Sequence, residues 1–88
     1  MLELIKWQDA MGVGPNWQET DQIGPERLVI TSVGKVISED EDTVVIVSHI
    51  GGPTEASPEQ ACGDMHIPRA SILSREALVP AEAYCNDK

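Results

Sequence analysis

Residues 27–37 and 43–50 are two runs rich in Val, Ile and Thr. They flank a short bridge, Ser38-Glu39-Asp40-Glu41-Asp42, that is almost wholly acidic. β-Branched side chains lose rotamer freedom in a helix and pack well on a pleated sheet. Two such runs joined by a polar bridge predict an antiparallel hairpin with a solvated tip. On the first run, Val29, Val33 and Ile37 share a face with Arg27, Thr31 and Lys35. Leu28, Ile30 and Val36 share the other with Ser32 and Gly34. Apolar residues on both faces predict a bent strand whose faces swap between core and solvent. Gly34 is the natural bend or bulge, or else a plain gap in packing.

The rest of the chain supplies short elements around this hairpin. Residues 2–7 read as a strand, and Gly12-Val13-Gly14-Pro15 breaks regular structure. Asn16 and Glu19 have capping-box spacing, which predicts a helical turn over 17–22, ended by Gly24-Pro25. Residues 51–60 are a loop by composition. Order returns at 63–67, where Pro68 ends a strand because it cannot donate to a ladder. A one-turn helix over 69–72 leads into a last strand at 72–75, and 80–84 could add another turn. The predicted fold is all-β with one or two short helical turns: a small five-stranded antiparallel SH3-like or Sm-like barrel, or a rolled antiparallel sheet. Residues 1–78 form the domain and 79–88 a tail.

Composition bounds the function. With 88 residues, 3% aromatics and no Phe, the core must come from Val, Ile and Leu, with Trp7 and Trp17 as the bulky pieces. So small a core buries only part of its unfolded surface, and pairing with another copy adds to it, so a homo-oligomer is expected. The net charge of −9 and the scattered Lys and Arg disfavour direct nucleic-acid binding, which needs cations to displace counterions. An anionic membrane surface is disfavoured for the same reason, and a basic protein surface is the natural partner. No segment approaches ~20 apolar residues, and residues 1–7 lack the basic start and apolar run of a signal peptide. The expectation is a cytoplasm in which Cys62 and Cys85 stay reduced.

Several groups invite chemical readings. Cys62, Asp64 and His66 alternate and would share a strand face, with His49 on a neighbouring strand. All four are zinc donors, but the spacing lacks the tight pairs of zinc sites, and a solvated polar face is the plainer reading. Glu39, Asp40, Glu41 and Asp42 lack the alternating oxygens, glycine turn and distal Glu of a calcium loop, so they read as a solvated tip. Asp9, close to Trp7 and followed by Trp17, could form a ledge for a partner, since Trp is enriched at binding hot spots. Trp7 itself fits the core better. No nucleophile, base and orienting group fall into an arrangement, so catalysis is not expected and no cofactor is implied.

Trp7-Gln8-Asp9-Ala10, Trp17, Ser32-Val33-Gly34-Lys35-Val36, Glu39-Asp40-Glu41-Asp42, Ile50-Gly51 and Gly63-Asp64-Met65-His66-Ile67-Pro68-Arg69-Ala70-Ser71-Ile72 follow one another in that order. In this order and spacing the chain resembles a family of short, largely uncharacterised proteins of tailed bacteriophages. The resemblance spans residues 4–78, apart from a loop at 52–61. It implies a phage accessory protein in the bacterial host cytoplasm and supplies no activity. The first reading is therefore a binding protein that contacts a host protein through its acidic surface and inhibits or diverts a host process, such as a defence system. An alternative is an oligomer that sequesters a nucleotide-like signal, with Trp17, Arg69 and the 51–60 loop at a pocket between subunits. Arg69 would then meet the phosphate. A minor structural component of the virion is the third.

Overall fold

A computed structural model describes residues 2–10 and 16–80. Seven strands are present: β1 (Leu2–Asp9), β2 (Leu28–Glu39), β3 (Thr43–Val47), β4 (His49–Gly51), β5 (Gln60–Cys62), β6 (Met65–Pro68) and β7 (Ile72–Ala77). Two 3-10 turns, Thr20–Gln22 and Arg69–Ser71, are the only helical pieces among the described residues. No helix there is long and apolar enough to cross a membrane.

The main sheet has the order β6-β3-β2-β1-β7, antiparallel at every neighbouring pair. The fold is thus all-β around a five-stranded antiparallel sheet, as expected. The edge strands β6 and β7 do not pair with each other, so strand pairing leaves the sheet open. The second 3-10 turn links these two edges directly. β4 and β5 form a separate two-stranded arm.

The core cluster lies on one face of the sheet, and Val47, opposite Lys35, is buried on the other. Ile5, Val44, Ile46 and Ile67 are buried together, and Trp7, Val36 and Ile72 pack against them. Trp7 keeps its indole N–H satisfied by donating to Ser32 Oγ at 3.1 Å. That bond resolves the cost of burying a polar handle in an apolar setting.

Several expectations are corrected. The faces of β2 keep their alternation from Leu28 to Val36 and swap only past a bulge, where Glu39 comes to the inner side opposite Val44. Ser32 and Gly34 are buried and Val36 half-buried on the inner face, whereas Val29, Val33 and Ile37 on the other face stand exposed. The bulge falls between Val36 and Ser38 rather than at Gly34. Gly34 is instead a close-approach site, because a Cβ there would lie 2.9 Å from the Val47 carbonyl and 3.1 Å from Ile46 Cβ. The second run breaks at Ser48, giving β3 and β4 in different sheets. Residues 51–60 are not all loop, because Gly51 and Gln60 pair across the arm. The first helical turn is confined to Thr20–Gln22, and its cap is Glu19 with no side-chain hydrogen bond, so the Asn16–Glu19 capping box is not formed. The turns expected at 12–15 and over most of 80–84 lie outside the described residues.

Candidate functional site

The acidic bridge divides into two halves with different duties. Asp40 Oδ1 accepts the backbone N–H groups of Asp42 and Thr43, each at 2.8 Å. A short carboxylate folding back on its own backbone replaces a backbone turn, which is why Asp suits this position. Those two donors favour the charged form and hold the Asp40 carboxyl below its ordinary range. Glu39 turns the other way. It accepts from Arg75 Nη1 at 3.1 Å and Nη2 at 3.3 Å, and it also pairs with Arg69. The Arg75 hydrogen bonds lead in lowering the Glu39 pKa. Glu41 and Asp42 remain exposed, with their side-chain carboxylates outside these pairs.

Arg75 is the centre of this network. Its Nε–H and Nη2–H donate to the two oxygens of Glu3 at 2.7 and 2.8 Å, a planar fork matched to a carboxylate. The register places Arg75 opposite Ile5, on the core side of β7. Glu3 and Arg75 side chains are only 14% and 26% exposed, so water screens the pair poorly. The fork pulls the Glu3 carboxyl below its usual range and pushes the Arg75 guanidinium further up. Sequence reading did not single out Glu3 or Arg75. The signal was an arginine two residues from Leu73 and from Ala77 in a short strand, a position that calls for a carboxylate across the sheet.

The turn at Arg69–Ser71 closes the other side of this seam. The Arg69 backbone N–H donates to the Asp42 carbonyl at 2.8 Å, and its side chain donates to the Asp40 carbonyl and to Glu39. The hairpin tip is therefore clamped to the segment between the two edge strands. Arg69 is engaged on both its backbone and its guanidinium.

The proposed metal donors fall into two separated pairs. Gly63 adopts φ +73°, a conformation suited to glycine, and breaks the alternation between Cys62 and Asp64. Cys62 stays on the arm opposite His49, whereas His66 is in β6 of the main sheet. Asp64 Oδ2 meets His66 Nε2 at 2.7 Å on an exposed surface, which lowers the Asp64 pKa. Among the described residues, no three or more His, Cys, Asp or Glu groups converge on a metal position.

Asp9 ends β1, and its Oδ1 accepts the Ala10 N–H at 2.8 Å. Trp17 is fully exposed before the first 3-10 turn, whereas Trp7 packs against the core, so the two indoles form no common ledge. A shallow cleft of about 320 Å³ lies along the arm, lined by His49, Ile50 and Cys62 among others. Comparison with protein-family models, curated proteins and solved structures finds no match.

Proposed function

We propose that this chain is a small SH3-like binding module, an accessory protein of a tailed bacteriophage that acts in the bacterial host cytoplasm. It works as a homo-oligomer by occupying a protein surface, not by catalysis. The SH3-like reading is supported by the strand order, with the first strand joining β2 to the last strand and a single 3-10 turn before β7. One observation carries the binding reading. Among the described residues, the Glu41 and Asp42 carboxylates stand free on a tip whose shape is set by Asp40 and anchored by Glu39. Charges held on an already ordered turn lose little entropy on meeting a partner, and they steer encounter with a basic surface. Trp17 offers a further exposed aromatic contact.

A contact with a host defence protein is the form of this reading that fits a phage accessory protein. The nucleotide-binding alternative has weaker support, because a phosphate would have to compete with Glu39 and the Asp40 carbonyl for Arg69. The test is capture of a bacterial lysate on the immobilised full chain at low and high salt. The expected result is a host protein retained at low salt, released as salt rises, and lost with Glu41→Lys and Asp42→Lys together. Retention unaffected by that double change, or no retained protein, removes this reading. Thermal stabilisation by a nucleotide that Arg69→Ala abolishes would install the alternative.

A further inference from the structure

The sheet has a second face, and its composition runs against the rest of the chain. Register places Leu2 opposite Lys35, Leu4 opposite Val33, Lys6 opposite Thr31 and Gln8 opposite Val29 on the side away from the core. Leu2, Val29, Val33 and Ile37 are each about half exposed there. β7 adds Ser74 opposite Lys6 and Glu76 opposite Leu4. The acids Glu3, Asp9 and Glu39 belong to the inner side, as their partners Gly34, Leu28 and Val44 do. A chain of net charge −9 thus carries, on this one face, two lysines against one glutamate around an apolar row. Neither lysine is ion-paired among the described residues.

We propose that this face is the contact between two copies of the chain, packed sheet on sheet about a two-fold axis. Three observations select a second copy as the occupant. Contiguous exposed apolar side chains rimmed by polar ones mark interaction surfaces. A two-fold contact must be self-complementary, and this face holds both signs of charge. At the hairpin tip, by contrast, Glu41 and Asp42 of two copies would bring acid against acid, which opposes association. The β-branched row on β2 has the pleated geometry that a facing sheet packs against at ~10 Å. The buried core is also small: five apolar side chains are buried among the described residues, whereas eleven large ones stand exposed. A second sheet would cover part of that deficit.

This inference rests on the oligomeric part of the proposed function and not on the host contact. It is therefore tested on the purified chain with no lysate. Sedimentation equilibrium of the full chain is expected to give twice the 9.5 kDa mass of one chain. Association should tighten with salt, which screens the repulsion between two −9 chains. Val33→Asp should return the mass to one chain, with an unchanged far-UV circular dichroism spectrum because Val33 is solvent-facing. Lys35→Glu should weaken association by at least tenfold. Ile50→Asp, on the arm, should leave it intact. A wild-type chain that sediments singly at every concentration overturns the proposal. So does an assembly that Val33→Asp leaves whole, one that Ile50→Asp alone dissolves, or one that salt disperses, the last being the mark of an acidic partner site.

Discussion

Glu3 and Arg75 lie 72 positions apart in the sequence and form a two-pronged ion pair across β1 and β7. The pair ties the first strand to the last. Glu39 joins it from the end of β2, and Arg69 joins Glu39 from the turn between the edge strands. This chain of alternating charge forms a seam that ties β1, β2 and β7 to the turn joining the two edge strands.

Arg75→Met keeps much of the side-chain volume and removes the fork. A partly buried carboxylate, Glu3, loses its partner. The expected loss of stability is about 1–3 kcal/mol, the range for hydrogen bonds to charged groups. Urea denaturation measures it. Arg75→Lys should recover only part, since an ammonium cannot match both oxygens of Glu3 and reach Glu39. Full recovery by lysine would show that the fork geometry is irrelevant.

The acid limb of stability follows from the same groups. Glu3 and Glu39 sit below their ordinary 4.5 because Arg75 binds the charged forms, and Asp40 sits below 3.8 because two backbone N–H groups do. The folded chain therefore binds fewer protons than the unfolded chain in the window beneath those values. Stability from these groups is complete above about pH 4.5 and is lost as pH falls through the lowered folded values. Thermal unfolding across pH should show a plateau and then an acid decline. Glu3→Gln should lower the plateau and flatten the decline.

Gly34→Ala places a methyl 2.9 Å from the Val47 carbonyl and 3.1 Å from Ile46 Cβ. Neither atom is the free end of a flexible side chain, so β2 and β3 must part slightly. Overpacking of this kind costs about 1–3 kcal/mol. Gly24→Ala, with nothing within 4 Å, is the matched control. Equal denaturation midpoints for the two variants would rule out the close-approach role.

Ile5→Ala and Trp17→Ala separate core from surface. Ile5 is fully buried in a core of few residues, and its truncation should cost about 2–5 kcal/mol. Trp17 is fully exposed, and its loss should leave the unfolding midpoint within experimental error. A large midpoint shift for Trp17→Ala would mean that the indole is covered in solution by another surface.

The legible parts of this protein were local ones. The central hairpin, the ending of β6 at Pro68 and the turn before the final strand all follow from residues near each other in sequence. The scarcity of aromatic residues points Trp7 to the core, and the acidic bridge between two β runs points Asp40 to a solvated turn. The capping box was misread because Asn16 and Glu19 offer the right spacing with no helix long enough to need a cap. The swap of faces along β2 lies between Val36 and Ser38 and not at Gly34, because an extra residue in a ladder leaves no mark on composition whereas a glycine does.

The candidate sites depended on distance in space. Four acids in a row carry the same local signal. Only the fold divides them, because the Arg75 fork and the Arg69 clamp come from strands and turns far along the chain. The metal donors are likewise divided: His49 and Cys62 pair on the arm, and past Gly63 at φ +73° the chain carries Asp64 and His66 to the main sheet. By itself the sequence determined a β-rich chain with a small aliphatic core, an acidic hairpin tip and a strong negative charge, since those rest on side-chain type and short-range alternation. The tertiary structure alone decided which acids are spent in the seam, which remain free, and that the lysines of β1 and β2 share one apolar face. Each depends on strand register, and register comes from which faces bury each other.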